Sequence, residues 1–176
     1  EVHINVPAFA TALRAMVRED PDVVLIGEMR DAETFRAALQ AAETGHLVFG
    51  TVHAARSAQA IGRILGLFPE EEQSAVRQSL AFNLQAIICQ QLLKSKQPDI
   101  RRVPACEVMI ATPIIQKLIL EDRDTEMTEV IDSGDGGMIG WTETLYQLCK
   151  KGLVEETEAC EIAPNAEALR MRLAGI

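Results

Sequence analysis

Two short apolar runs in this sequence end on residues able to act on a phosphoryl group. Val23, Val24, Leu25 and Ile26 form a β-branched, wholly apolar run that stops at Gly27 and Glu28. Such a run reads as a strand buried on both faces of a parallel sheet. A carboxylate just past it is held by fixed backbone between low-dielectric walls, where it can orient an attacking water. The second run, residues 47–52, is bracketed by His46 and His53. His53 leaves it at the same edge as Glu28, so its imidazole can reach a terminal phosphate, with the Thr51 hydroxyl close by. Arg30 and Asp31 follow Glu28 and complete the candidate set. Taken singly, each residue also has a plain structural reading. An acid can follow a strand because the chain returns to water, His46 can end a helix beside Gly45, and Asp31 can cap the helix after it.

These positions make sense only if the intervening chain returns the second strand beside the first. Residues 31–43 place Phe35, Ala38, Leu39 and Ala42 on one helical face, with Gly45 as the stop. Strand, helix and strand within about thirty residues make a right-handed βαβ unit whose functional edge lies at the strands' C-terminal ends. Upstream, residues 7–17 carry helical periodicity after Pro7, broken by the polar stretch 18–22. Downstream, 57–65 reads as a short helix. A long helix opens at Pro69, with Val76, Leu80, Leu84, Ile87, Ile88 and Leu92 as its apolar stripe. Residues 94–102 form a polar turn, 103–111 a strand, and Thr112-Pro113 the capped start of a helix to Leu120. Short helices follow over 125–131, 142–151, 155–162 and 165–173, and residues 133–137 form a flexible connector. The expected division is a βαβ-bearing portion, 1–111, and a helical remainder, 112–176.

Composition narrows the field. With 176 residues, 48% of them hydrophobic, the chain can bury a core. Its net charge of −9 leaves no basic field for a phosphate backbone, so nucleic acid is excluded as an expected partner. Cys89, Cys106, Cys149 and Cys160 lack paired metal-ligand spacing and read as reduced thiols in a cytosolic fold. No apolar run is long enough to span a bilayer.

Three segments carry a family resemblance. Ala12-Leu13-Arg14 with Arg18-Glu19-Asp20-Pro21-Asp22-Val23-Val24-Leu25-Ile26-Gly27-Glu28-Met29-Arg30-Asp31 resembles the Walker B region of the type II and type IV secretion ATPase superfamily. Ala42-Glu43-Thr44-Gly45-His46-Leu47-Val48-Phe49-Gly50-Thr51-Val52-His53 is similar to its histidine box, and Leu67-Phe68-Pro69-Glu70-Glu71 to its next segment. The resemblance implies an α/β, RecA-like P-loop NTPase core and a hexameric ring at the cytoplasmic base of a pilus or secretion machine. It also implies ATP and Mg as cofactors and an inner-membrane pilus platform protein as partner. On it, Glu28 is the carboxylate that activates the hydrolytic water and His53 contacts the γ-phosphate. Arg30, Asp31, Thr51 and His46 would support the nucleotide site. Residues 94–102 leave no room for the four-cysteine zinc element of the extension and type II members, which points to the PilT-type retraction branch. Gln116 and Lys117 stand where that branch has arginine and asparagine in an A-I-R-N-L-I-type segment. That departure keeps a PilU-like accessory role open.

No G-x-x-x-x-G-K-[ST] occurs, so the loop that cradles phosphates is not in this sequence, and residues 134–137 are glycine-rich without its lysine. The sequence opens at Glu1-Val2-His3 without methionine. The expectation is a C-terminal portion, inactive alone, whose upstream half brings the P-loop, an aspartate-rich box and a PAS-like domain. Without the P-loop strand, the strand leading to His53 should keep an open edge. A rival class, a non-enzymatic module joining a ring of complete subunits, also fits the missing loop. A hydrolase or oxidoreductase fits less well, since neither a nucleophile elbow nor G-x-G-x-x-G occurs.

Overall fold

A computed structural model describes residues 11, 12, 15, 17–19 and 21–176. Most of the helix expected over 7–17 lies outside these, although Thr11, Ala12 and Ala15 are helical. The chain separates into two compact units, residues 1–53 with 60–84 and residues 54–59 with 85–176.

In the first unit β1 (Val23–Ile26) and β2 (Leu47–Gly50) run parallel, with Val23 opposite Leu47 and Ile26 opposite Gly50. Helix α1 (Ala32–Glu43) crosses between them. Its covered face is centred on Phe35, Ala38 and Ala41, slightly turned from the expected stripe because Leu39 and Ala42 are half-buried. Ala37 and Ala38 seal Val24 and Ile26, which are 1% and 0% exposed. The opposite face is open among the described residues, with Leu25 76% and Phe49 53% exposed. The expected burial of β1 on both faces is thus corrected: α1 covers one side only. Among the described residues β2 pairs only with β1. After α2 (Ser57–Leu65), α3 (Glu70–Asn83) packs by its Glu72 against Arg36 at 2.6 Å. Phe68 meets the Phe35 ring edge-on at 6.1 Å.

The long helix expected to run on to Leu92 stops at Asn83. Leu84 turns extended, and β3 (Ala86–Lys94) pairs antiparallel with β4 (Arg102–Ile110) over nine positions. Ile87, Ile88 and Leu92 fit a helical stripe, but Ile87, Cys89 and Leu93 also alternate at strand period. The nine-pair ladder with β4 decides between the two. The inner face of this hairpin joins the C-terminal helices in one core, with Leu93 and Ala105 against Trp141, Leu145 and Leu169. The 111/112 division expected from the sequence therefore lies inside the second unit. Those helices are α4 (Pro113–Leu120), α5 (Met127–Ser133), α6 (Trp141–Lys150), α7 (Glu156–Ile162) and α8 (Ala166–Ala174). Asn165 caps α8 by accepting from the Ala168 amide at 3.0 Å. Thr112 occupies the cap position of α4, yet its side chain makes no cap bond. The connector at 133–137 is a tight turn, with Gly134 at φ 77° closing α5. All four cysteines are free thiols.

Inside the second unit lies a polar cluster that pattern reading did not single out. Glu107, 3% exposed, accepts from the backbone N–H of Ser57 at 2.7 Å and so caps α2 from fifty residues away. Its other oxygen stands 3.9 Å from the Arg56 guanidinium, which lies 5.5 Å over the Trp141 ring. Asp132 feels both charges, and its carboxylate rests against Gly140, where a Cβ would collide with it.

Candidate functional site

The parallel register of β1 and β2 decides the geometry of the site. Because Ile26 lies opposite Gly50, the residues just beyond each strand leave the sheet at one edge. There the Glu28 carboxylate stands 3.1 Å by Oε1 from His53 Nε2, while Oε2 accepts from Arg30 Nη2 at 2.6 Å. The carboxylate is the least exposed of the three, at 28%, against 82% for the His53 side chain and 77% for Arg30. The Arg30 hydrogen bond, opposed by partial desolvation and aided by the charges of Arg30 and His53, holds Glu28 below the usual carboxylate range. Arg30 is correspondingly raised. At neutral pH this is a carboxylate able to accept a water proton, flanked by two solvent-facing groups able to donate N–H bonds to an anion. Each carboxylate oxygen has one partner and keeps a second lone pair, so a water can enter beside Arg30 and His53.

Two crossed hydrogen bonds brace this edge. The Thr51 hydroxyl donates to the Gly27 carbonyl, and the Met29 amide donates to the Thr51 carbonyl at 3.0 Å. Thr51 thus fixes the turn that carries Glu28 instead of presenting a free hydroxyl. Asp31 stands beside the site but is spent on α1: its carboxylate accepts from the Thr34 amide at 2.8 Å and the Thr34 hydroxyl at 3.1 Å. His46 is not brought to the site. Its Nδ1 donates to the Ala41 carbonyl at 3.0 Å, at the entry of β2, seven residues before His53 and, at the strand rise per residue, roughly 20 Å away. The sequence reading grouped the two histidines because both flank one run, yet the two ends of a strand serve opposite edges of the sheet. One contact was missed. Met29 lies across Gly50, where a Cβ would meet the end of its thioether chain. The signal for it was a glycine as the sole residue of β2 without a side chain.

The profile of the type II/IV secretion system protein family matches residues 3–167. The chain belongs to that family. Within it the chain is 49% identical over 168 residues to the type IV pilus retraction ATPase PilT of Pseudomonas aeruginosa, covering 95% of this chain and 48% of that protein. It is 36% identical over 174 residues to the type IV pilus ATPase PilU of the same organism, covering 98% and 45%. A solved structure of the pilus retraction motor PilT with bound ADP superposes at a TM-score of 0.84 with 42% identity, covering 97% of this chain and 48% of that one. The chain therefore has the RecA-like α/β ATPase fold of this family. It spans about half the length of the curated relatives it matches.

Proposed function

We propose that this chain is the C-terminal, catalytic-carboxylate portion of a hexameric ATPase that drives type IV pilus retraction, coupling ATP hydrolysis to removal of pilin subunits. The observation that carries the reading is the 3.1 Å approach of His53 to Glu28 at a shared sheet edge. Support comes from the matched family and from the higher identity to PilT than to PilU.

The donor set fits the terminal phosphoryl end of a nucleotide. Glu28 takes the proton of the attacking water, and His53 meets the γ-phosphate oxygens. Arg30 keeps the carboxylate ionised and aimed. Thr51 fixes the turn that carries it, while Asp31 acts through the helix it caps and His46 through the far end of β2. Mg-ATP supplies the phosphoryl group and the counter-charge. The amides, lysine and hydroxyl that hold it belong to a G-x-x-x-x-G-K-[ST] loop that this sequence lacks. The chain by itself is accordingly expected to be inactive. The working protein is placed at the cytoplasmic side of the inner membrane, against a pilus platform protein, without nucleic acid.

The test is turnover of the chain joined to its upstream half. Glu28→Gln and His53→Ala should each lower kcat by roughly 10²- to 10⁴-fold, the usual loss for a removed acid–base or charge-stabilising group. Unchanged turnover in both variants ends the catalytic assignment. Micromolar Mg-ATP binding by the isolated chain in calorimetry refutes its dependence on the missing loop. A PilU-like accessory role is the second reading, favoured by Gln116 and Lys117 in α4. It predicts that the completed protein shows little turnover alone and supports retraction only in a ring with full motor subunits.

A further inference from the structure

The backbone that carries His53 is pinned at two points, Thr51 and Ser57. At the first, the Thr51 carbonyl accepts from the Met29 amide at 3.0 Å, and its hydroxyl donates to the Gly27 carbonyl. At the second, the backbone N–H of Ser57, the first residue of α2, donates to Glu107 Oε1 at 2.7 Å. Among the described residues no backbone hydrogen bond outside the regular elements involves residues 52–55. The first pin lies within the first unit. The second lies within the other, to which residues 54–59 and Glu107 both belong. That second pin is deeply buried, with Glu107 3% and Ser57 0% exposed. Arg56 stands 3.9 Å from Glu107 Oε2 and over the Trp141 ring, and Asp132 feels the charges of both Arg56 and Glu107. The Ser57 hydroxyl turns away to Cys89 Sγ at 3.7 Å, so only its amide serves Glu107. A helix start is ordinarily capped by a short polar residue just before it. Arg56 holds that position here, and the acceptor comes from β4, fifty residues on. A local cap would hold α2 equally well; the remote one also ties the chain leaving His53 to β4.

We propose that Glu107 is a positioning residue for His53. By holding the Ser57 amide it keeps the first turn of α2 wound and confines the unpinned backbone around His53 to residues 52–56. Without that acceptor the orphaned amide frays the first turn, and the slack spreads into α2. The imidazole then loses its fixed approach of 3.1 Å to Glu28 Oε1. Arg56 supports the arrangement by keeping Glu107 paired, since a buried carboxylate is costly without its bonds. Glu107 thus acts through the four residues between it and the imidazole's own position in the chain, Ala54 to Ser57, and not on the nucleotide. The inference rests on the proposed role of His53 in ATP hydrolysis.

The test is ATP turnover of the chain joined to its upstream half, each variant first shown by a thermal melt to be folded at the assay temperature. Glu107→Asp keeps the charge but draws the acceptor back by one carbon–carbon bond, about 1.5 Å. Glu107→Met fills a similar volume with no acceptor, so a folded variant of either kind carries the test. Each should lower kcat about 10- to 100-fold, the scale of loss from a misplacement of about 1 Å. KM for Mg-ATP should stay within about twofold, since the lost interaction serves the reacting geometry and not ground-state binding. Glu107→Gln returns an acceptor at full reach and should recover kcat to within about threefold of the parent. In a His53→Ala background the Asp and Met changes should add no further loss, because a residue acting only through His53 has nothing left to position. Parent-like kcat in either variant, a glutamine variant as slow as they are, or losses that multiply with that of His53→Ala overturns the proposal and leaves the nucleotide reading standing. Unchanged turnover in His53→Ala alone removes the nucleotide reading and this inference with it.

Discussion

Replacing Glu107 by alanine is expected to destabilise the second unit by about 2–4 kcal/mol. Ser57 is fully buried, so its backbone N–H, now bonded to Glu107 at 2.7 Å, could not be rehydrated. An orphaned buried donor costs about 1–3 kcal/mol. The lost methylene adds about 0.8 kcal/mol. Arg56 stands 3.9 Å away with a side chain 27% exposed, and its ion pair is expected to contribute less than about 1 kcal/mol. Relief of the nearby Asp132 returns part of this. Glu107→Gln keeps an oxygen acceptor for Ser57 and gives up only the charge, so it should cost about 1 kcal/mol or less. Trp141, the one tryptophan of the chain, lies under Arg56 and reports on this unit directly. Urea unfolding followed by its fluorescence gives both differences. An alanine variant within about 0.5 kcal/mol of the parent, the range of ordinary surface changes, refutes the remote cap. A glutamine variant as damaged as the alanine one shows that the Arg56 charge pair, and not the cap, is what matters.

Two further outcomes follow from the same reasoning. Burial, and then the charge of Glu107, push the Asp132 carboxyl above its ordinary value against the pull of Arg56. An acid raised in the folded state costs stability above that raised value, and the cost falls away as pH drops from it to the ordinary carboxyl value. Asp132→Asn should therefore raise the urea midpoint at neutral pH and lose that advantage in acid. Asp31→Ala, which removes two bonds to Thr34, should cost the first unit about 1 kcal/mol, while Asp31→Asn stays within a few tenths. Hydrogen exchange of the α1 amides measures this, and equal protection in both variants and the parent refutes the capping role.

What the sequence by itself determined lies mostly between Pro21 and His53. There each signal is local: an apolar run of four, three of them β-branched, an aspartate at the head of a helix, a glycine behind it, and a second run with an imidazole at its exit. Because α1 carries the chain back to the start of the second strand, parallel pairing follows, and with it the meeting of Glu28 and His53 at one edge. The helices of the second unit were legible for the same reason, since caps such as Asn165 act within one turn. Tertiary structure alone decided the rest. Residues 84–92 satisfy helical and strand periods together, and only the ladder with residues 102–110, eight to twenty-four places further along the chain, breaks the tie. His46 and His53 look equivalent beside one run, but a strand separates them in space. Glu107 gave no signal at all, because a carboxylate that caps a helix fifty residues away is set by packing, which leaves no period or spacing to read.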